Sequence, residues 1–404
     1  MEENKTAGER PEKNGELNEK RHLPYRPVLA AVICGLVLGF TLLFFVLPKD
    51  VLSEQKEKAL SHIENLSMEN ILSSKYAHSV KSYAEERFPF HDIFVNAYGF
   101  VRQVSGIIEN NGIYLRGQDG FAEDVAVPDA EKENRLIERL AAFAEAHETA
   151  GMYFLLAPNA ASICRAEIAV DAPIADQNRI MDDFFGRLSE TKLASIDVRQ
   201  ELRAHAGEYL YYRTDPRWTT EGARIAFEAA CSHLRIRTPE NVELFSFDGE
   251  PFVGTLSRKN GLRKGRPDEI RGYRPKIIPG AVVYSAEDGT GKGTKLPSIY
   301  DRSWLGTENA YNVFFGGDCP RLRLTTKSAK GGRRLLVVKD SYANSFLPFL
   351  SSYFERIEVV DARQFTGSLD ALMEKDKLTE VLFLFNANTL FGDESLLRLL
   401  GGEA

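Results

Sequence analysis

The sequence is poor in cysteine and has no excess of positive charge, and both absences narrow what the protein can be. Its 404 residues include only four cysteines, too few for a disulfide scaffold. Cys34 lies in an apolar run, while Cys164, Cys231 and Cys319 are compatible with one bridge and one free thiol or with no bridge. CxxC motifs and paired metal ligands are missing as well, so neither a metal nor an organic cofactor is expected. The net charge of −7 and the lack of a basic motif interleaved with aromatic residues argue against nucleic acid as a partner.

One long hydrophobic run lies near the N-terminus. Residues 28–47 carry no charge, and a helix of that length matches the hydrocarbon thickness of a bilayer at about 1.5 Å per residue. The polar residues 1–27 are expected to be a disordered tail, and their Lys and Arg side chains place it in the cytoplasm by the positive-inside rule. We therefore predict an uncleaved signal anchor in the cell membrane, with the rest of the chain outside the cytoplasm. A cleaved signal peptide and a buried core helix are the alternatives, although no small-x-small cleavage pattern follows the run.

Alternating strand and helix patterns dominate the remainder of the chain. Residues 51–100 are polar and helix-prone, and we predict a helical stalk or entry segment there, followed by one α/β domain over 101–404. A turn-rich hairpin is expected at residues 110–121, and short apolar strands then alternate with amphipathic helices. Strands are predicted at 152–156, 193–196, 312–315, 334–338, 357–360 and 381–385, and helices at 131–147, 177–188, 220–234, 342–354 and 369–375.

This alternation is typical of a parallel sheet that is covered by helices on both faces. Ligands of such sheets bind beyond the carboxyl ends of the strands. Ser341 and Asn159 each follow a predicted strand, and Asn386 and Asn388 follow a third. We therefore expect these polar side chains to lie along one edge of the sheet.

A serine lies where the strand at 334–338 turns into a helix. In the segment Lys339-Asp340-Ser341, free amides of the first helical turn could hold a developing oxyanion, and the helix dipole would favour its charge. A serine or an aspartate in such a position also serves as an ordinary helix cap. Ser341 is thus a candidate nucleophile, and capping by Asp340 or Ser341 is the alternative.

A second segment, from Tyr211 to Thr220, places an aspartate close to an arginine. In serine hydrolases a histidine takes the serine proton while an aspartate orients its imidazole. The two-residue spacing of Asp215 and Arg217 would let both side chains point into one cleft, but a guanidinium stays protonated and cannot be the base. Arg217 could pair with Asp215 or bind an anionic group instead. A solvated surface loop is the alternative.

Two further segments carry weaker signals. The glycine-rich residues 289–294 lack the Gly and Ser/Thr positions of a phosphate-binding loop, so nucleotide binding is not expected. A basic stretch over residues 258–274 could meet an acidic glycan or a lipid head group. The pattern alone favours a solvated loop for that stretch.

Taken together, these segments resemble the bacterial DHHW family, part of the SGNH-hydrolase-like group that includes the alginate O-acetylation proteins of the AlgX/AlgJ type. The resemblance runs from about Arg87 to Phe391. Several separate pieces carry it in the same order along the chain: residues 87–90 (RFPF), 110–115 (NNGIYL), 211–215 (YYRTD), 218–222 (WTTEG), 315–317 (FGG), 339–346 (KDSYANSF) and 383–386 (FLFN).

This resemblance implies a flavodoxin-like, three-layer α/β/α fold. Members of the alginate-type branch transfer or remove acetyl groups on polysaccharides outside the cytoplasmic membrane. Carried over by position, Ser341 matches the nucleophile and Asp215 the orienting acid, while Arg217 occupies the place of the catalytic histidine. The resemblance also suggests substrate-binding residues around this cleft, namely Trp218, Tyr342, Asn159, Gly317 and Asp318.

The chain departs from the family pattern mainly around this cleft. Pro216 replaces the first histidine of the motif that names the family, and Asp318 stands where relatives often have asparagine after the double glycine. His91 lies where relatives commonly have arginine, so a swapped pair with His91 reaching Ser341 is conceivable. Because the three departures at Arg217, Pro216 and Asp318 fall at one site, catalysis is the property that they put in question.

Two functions from different classes follow. The first is a membrane-anchored, degenerate member of the group that binds polysaccharide or acts as a scaffold in a cell-envelope or exopolysaccharide pathway. A membrane-bound O-acyltransferase is a candidate partner for such a protein. The second is an active polysaccharide O-acetyltransferase or acetyl esterase that uses Ser341 with an unusual base. A purely structural or stalk role is a third alternative.

Overall fold

The computed structural model describes most of the chain after residue 108. The described residues are 25–46, 97–98, 100–101, 105, 109–239, 242–247, 251–260, 266–275, 277–284, 293–326 and 332–401. They fall into two compact units, Met1–His91 and Asp92–Ala404. The predicted cytoplasmic tail and stalk lie almost entirely outside the described residues, as does His91.

The first unit is described by one helix, α1 (Tyr25–Val46). It covers nearly all of the predicted hydrophobic run, and Pro27 lies in its first turn, where a missing amide proton costs no helical hydrogen bond. The side chains of α1 are described for residues 27–42, and most are exposed. Within the described part of the chain, no helix meets the length and apolarity needed to cross a membrane.

The second unit contains the remaining described helices and strands. Its helices are α2 (Ala130–Ala146), α3 (Ala160–Ile163), α4 (Gln177–Leu188), α5 (Arg199–Ala204), α6 (Thr220–Ala230), α7 (Thr255–Asn260), α8 (Ala343–Leu350), α9 (Leu369–Asp376), α10 (Ala387–Gly392) and α11 (Ser395–Leu399). Its strands are β1 (Glu109–Asn110), β2 (Ile113–Arg116), β3 (Gly120–Glu123), β4 (Gly151–Ala157), β5 (Ala194–Ile196), β6 (Leu244–Ser246), β7 (Arg271–Tyr273), β8 (Gly280–Tyr284), β9 (Thr294–Leu296), β10 (Arg321–Thr325), β11 (Arg334–Lys339), β12 (Arg356–Asp361) and β13 (Glu380–Asn386).

Eight of these strands form a mixed central sheet in the order β5-β4-β13-β11-β12-β10-β8-β9. The five strands from β5 to β12 pair in parallel, as predicted, because helices carry the chain back between them. The prediction of a parallel sheet is wrong for β10, β8 and β9, which pair antiparallel. Two small antiparallel sheets, β1-β2-β3 and β6-β7, complete the unit, and the first confirms the predicted hairpin.

The parallel part of the sheet is buried on both faces. Alternate residues of each strand point to opposite sides, so each strand contributes to two separate hydrophobic clusters. One face packs against α2, α4 and α9, and includes Phe154, Leu156, Leu336, Val338, Phe383 and Phe385. The other packs against α6 and α8, and includes Tyr153, Leu155, Leu335, Val337, Leu382 and Leu384. The sheet therefore lies between two helical layers.

Several sequence predictions need correction. The strand predicted at 312–315 is wrong: Ala310–Val313 form a 3₁₀ turn, and Phe315 then adopts a φ of +60°, which no strand allows. The helix predicted to reach residue 354 ends at Leu350, shortly after Pro348. All four cysteines are free thiols, so no disulfide forms among them.

Candidate active site

Ser341 lies two residues beyond the end of β11, at the carboxyl edge of the sheet. The preceding Asp340 is fully buried, and its Oδ1 and Oδ2 accept hydrogen bonds of 2.9 Å from the amides of Tyr342 and Asn386. Burial raises the pKa of Asp340 above its usual range. Tyr342 is the N-cap residue of α8, and no side chain caps this helix, so the alternative of capping by Asp340 or Ser341 is wrong. The hydroxyl of Ser341 is left for another partner.

A tight loop presents Asp215 and Arg217 to this edge. Tyr211 and Trp218 pair as an isolated antiparallel bridge, and the amide of Tyr212 donates to the carbonyl of Arg217 at 3.2 Å. These contacts fix the residues between them in a turn. The two-residue spacing therefore does bring both side chains into one cleft, as the sequence predicts.

Asp215 is enclosed at the base of that loop. Its side chain is 1% exposed, and its Oδ2 accepts a hydrogen bond from the Thr255 amide at 3.3 Å. The backbone of Gly254 lies so close that an added Cβ would be 2.4 Å from the Cβ of Asp215. Only glycine allows this approach, so the segment around Gly254 shields Asp215 from solvent.

Arg217 joins Asp215 to Ser341. Its Nη1 donates to Asp215 Oδ1 at 2.9 Å, its Nε donates to Ser341 Oγ at 2.9 Å, and its guanidinium carbon lies 4.4 Å from the centre of the Tyr311 ring. Burial alone would lower the pKa of Arg217, but the negative charge of Asp215 more than offsets it and the pKa is raised. The three residues reproduce the order acid, bridging group and serine. The bridging group, however, donates to Oγ where a base would accept.

Tyr311 supports the arrangement from the side opposite to solvent. It is buried, and its hydroxyl lies 3.2 Å from both the carbonyl oxygen of Ser341 and the Oγ of Ser345. Burial raises the pKa of Tyr311, so the phenol stays neutral. Sequence reasoning missed this residue because its segment carries an apolar pattern typical of a strand.

A second buried carboxylate, Asp268, holds the loop in place. It accepts hydrogen bonds of 2.8 Å from the amides of Arg213 and Thr214, and further bonds from the hydroxyls of Thr214 and Tyr209. Burial raises the pKa of Asp268. The sequence offered no signal for it, because Asp268 lies within the basic stretch that is expected to be a loop.

Asp318 follows a run of three residues with positive φ, namely Phe315, Gly316 and Gly317. An added Cβ on Gly317 would lie 2.8 Å from the side chain of Asn312, and its φ of +100° also favours glycine. Gly317, predicted to bind substrate, is therefore required by the turn itself.

The Asp318 carboxylate is itself enclosed by donors. Its Oδ1 accepts from Lys339 Nζ at 2.6 Å and Asn344 Nδ2 at 2.9 Å, and its Oδ2 accepts from Arg363 at 2.7 Å. Asp361 pairs with the same two cations at 2.9 and 2.6 Å. Burial alone would raise the pKa of Asp318, but the charges of Lys339 and Arg363 hold it well below the usual range. Asp318 thus ties the double-glycine loop to Lys339 at the end of β11, two residues before Ser341.

Three other predicted substrate-binding residues point inward. Trp218 is fully buried, and its indole N–H donates to the Tyr342 carbonyl at 2.9 Å. Tyr342 is 3% exposed and donates its hydroxyl to the Pro216 carbonyl. Asn159 is 2% exposed, and its Oδ1 accepts from Gln177 at 2.7 Å and from Asn386 at 3.2 Å. In this conformation all three support the cleft from behind.

Glu123, at the end of β3, is a site residue that sequence reasoning missed. Burial is the main cause of the raised pKa of its carboxyl, and the charges of Lys259, Asp215 and Arg217 also act on it. Its side chain is partly buried. In the described part of the chain, no three His, Cys, Asp or Glu side chains are grouped so that they could hold a metal ion.

Comparison with known proteins agrees with this architecture. The family profile described as "DHHW protein" matches residues 136–360, which is more than half of the chain. No curated protein sequence matches the chain.

Solved structures match over most of the second unit. A DHHW family protein from Eubacterium siraeum is 23% identical, with a TM-score of 0.58 over 72% of this chain and 96% of that one. Bacillus cereus PatB1 with a sulfonyl adduct is 15% identical, with a TM-score of 0.58 over 71% of this chain and 97% of that one. The O-acetyltransferase domain of Pseudomonas putida AlgJ is 15% identical, with a TM-score of 0.43 over 72% of this chain and 99% of that one. At these identities, the first two likenesses show a shared fold.

Proposed function

Because the chain belongs to the DHHW family, we propose that it is a non-catalytic, membrane-anchored member that binds a cell-envelope polysaccharide or organises its modification. The proposal combines the family with one feature of the cleft. The cleft retains the serine and the acid of a hydrolase, while the position between them holds a permanent cation. A site built in this way can bind a ligand but has no group to start the reaction.

The hydrogen bond from Arg217 Nε to Ser341 Oγ, 2.9 Å long, carries the proposal. A serine becomes a nucleophile when a neighbouring base accepts its proton. The Arg217 guanidinium has no acceptor lone pair, and its raised pKa keeps it protonated at any working pH. Among the described residues, no other side chain lies within hydrogen-bond distance of Ser341 Oγ as a base.

The proposed partner and location rest on the sequence. The resemblance to the alginate-type branch favours an acetylated polysaccharide as the ligand and a membrane-bound O-acyltransferase as a neighbour. The uncharged residues 28–47 favour a single-pass anchor with the N-terminus in the cytoplasm, and most of them fall within α1. The second unit would then act outside the cytoplasm, where such glycans are found.

An ester hydrolysis assay tests the loss of catalysis. The full chain, purified in detergent, is incubated with p-nitrophenyl acetate beside Ser341→Ala and Arg217→His. We expect the unmodified protein and Ser341→Ala to release nitrophenol at the same background rate, because the hydroxyl has no base. In Arg217→His the imidazole would lie between Asp215 and Ser341, and general-base catalysis is worth roughly 10²–10⁴ in rate.

The matched control is Arg271→His, which makes the same substitution at an exposed arginine on β7. It should leave the background rate unchanged. Turnover by the unmodified protein that disappears in Ser341→Ala would overturn the proposal. If Arg217→His stays inert, the departures at Pro216 and Asp318 also contribute to the loss.

One observation favours the second candidate, an active O-acetyltransferase or acetyl esterase. A cation that donates to Ser341 Oγ at 2.9 Å would stabilise the alkoxide once it formed. Such an enzyme needs a proton acceptor supplied by the substrate or by a residue outside the described part of the chain. The hydrolysis assay decides between the two candidates, because only the enzyme shows turnover that depends on Ser341.

A further inference from the structure

The cleft presents hydrogen-bond donors that have no acceptor. A guanidinium has five N–H groups, and the contacts of Arg217 use its Nε and one proton of Nη1. Within the described residues, no oxygen accepts from Nη2. Ser341 Oγ accepts from Arg217, so its own proton is also available, and it too meets no acceptor among the described residues.

In the ion pair of Arg217 and Asp215, the cation is partly exposed and its counter-ion is buried. The side chain of Arg217 is 20% exposed, whereas that of Asp215 is 1% exposed. A ligand that enters the cleft therefore meets the guanidinium before it meets the carboxylate. Tyr311 stacks on the guanidinium and Asp215 holds one end of it, so little conformational entropy is left to lose when a ligand binds.

The other nearby acids offer little repulsion. Both oxygens of Asp318 are occupied by Lys339, Asn344 and Arg363. Glu123 is the exception, because it acts electrostatically on Arg217 and Asp215 and repels an anion when it is ionised. The free donors and the exposed cation thus set the chemistry of the cleft.

We propose that Arg217 and Ser341 form an oxyanion-binding subsite that takes a carboxylate or phosphate group of the ligand. The inference rests on the proposed function and names the chemistry that the same cleft recognises. The planar guanidinium suits such groups because it can present parallel N–H donors, which a lysine ammonium cannot. The serine hydroxyl contributes a third donor in place of its lost role as a nucleophile.

Titration with two simple anions tests the subsite. Sodium acetate and inorganic phosphate are added separately to the full chain at constant ionic strength, and the dissociation constant is taken from the rise in melting temperature with anion concentration. We expect at least one anion to bind the unmodified protein. Arg217→Gln should weaken that binding about tenfold or more, since a hydrogen bond to a charged group is worth roughly 1.5–3 kcal/mol.

Further variants separate charge from geometry. Arg217→Lys keeps the positive charge but loses the parallel N–H donors of the guanidinium, so its anion affinity should lie between those of Arg217→Gln and the unmodified protein. Ser341→Ala should bind the anion a few-fold more weakly than the unmodified protein. Arg271→Gln, at the exposed arginine of β7, is the matched control and should bind as the unmodified protein does. If the unmodified protein binds acetate more tightly, the ligand carries a carboxylate. If it binds phosphate more tightly, the ligand carries a phosphoryl group.

Glu123→Gln gives an independent check. It removes a carboxylate that acts electrostatically on Asp215 and Arg217. Anion affinity should rise in this variant at neutral pH.

Equal binding by Arg217→Gln, Arg271→Gln and the unmodified protein would overturn the subsite, because the anion would then act at the general surface. Failure to bind either anion would overturn it as well. Neither result bears on ester hydrolysis, so the subsite and the proposed loss of catalysis fail separately.

Discussion

At the scale of single residues, the proposed loss of catalysis depends on Arg217. Arg217 keeps the hydrogen-bond distances of an acid–base–serine arrangement, with 2.9 Å to both Asp215 and Ser341. It reverses one hydrogen-bond direction, since a cation donates to the hydroxyl where a base would accept. The sequence already located the three residues, because their motifs are specific. It could not show that Arg217 reaches Ser341, since that contact joins residues 124 positions apart.

Gly254 tests how tightly the acid is enclosed. Gly254→Ala would place its Cβ 2.4 Å from that of Asp215, so the two segments must separate. We expect a loss of about 1–3 kcal/mol in the free energy of unfolding, as for other overpacked sites. Urea denaturation followed by tryptophan fluorescence measures it.

Gly186→Ala is the matched control for that substitution. Gly186 lies on α4 with no heavy atom within 4 Å of the added Cβ, so alanine should stabilise the protein by about 0.4–1 kcal/mol. Equal effects of the two variants would contradict the close approach of Gly254 to Asp215.

At the scale of elements, the sheet positions the cleft. Ser341 and Asn159 follow β11 and β4, and Asn386 is the last residue of β13, which lies between them in the sheet. Asn159 and Asn386 are hydrogen-bonded to each other. This convergence was predictable, because parallel strands end at the same edge. The antiparallel strands β8, β9 and β10 were not, since each has only three to five residues. The buried network around Asp318 was equally hidden, because its members come from the double-glycine turn, the ends of β11 and β12 and the helix α8, which are distant in sequence.

Asp318→Asn tests that network. Asparagine keeps the shape but loses the charge facing Lys339 and Arg363, while Asp361 still pairs with both. We expect a loss of about 1.5–3 kcal/mol in the free energy of unfolding at pH 7. Asp171→Asn, at an exposed position, should be neutral.

The pH dependence of that loss follows from the direction of the pKa shift. The folded pKa of Asp318 is lowered relative to about 3.9 in the unfolded chain, so the stabilisation is fully present above the unfolded value. It is lost as the pH falls through the folded pKa. The difference between the two proteins should therefore stay constant from pH 7 to about pH 5 and shrink below about pH 4. A difference that grows on acidification would contradict the assignment.

At the scale of the whole molecule, two compact units divide the chain near residue 91. The hydrophobic run lies in the first, and the candidate active site lies in the second. Fold class and family follow from the second unit alone, because the matched residues 136–360 fall within it. The anchor is a separate proposal that depends on the composition of residues 28–47.

Membrane fractionation tests the anchor. The full chain should sediment with membranes and resist extraction by alkaline carbonate, since about twenty uncharged residues match the bilayer core. Replacing two apolar residues of the run, Leu36→Asp and Leu42→Asp, should release it, because each charge costs about 2.5–3.5 kcal/mol within a bilayer. The pair Val127→Asp and Val170→Asp, at exposed positions of the second unit, is the control and should stay with membranes. Recovery of the unmodified chain in the soluble fraction would contradict the proposal.

The central claim is that Ser341 is not a nucleophile because Arg217 replaces its base. Covalent labelling tests it most directly: the full chain is treated with phenylmethanesulfonyl fluoride, and intact mass and peptide mapping report sulfonylation. We predict that Ser341 stays unlabelled in the unmodified protein and becomes labelled in Arg217→His. Labelling of Ser341 in the unmodified protein, at a rate equal to that of Arg217→His, would contradict the claim.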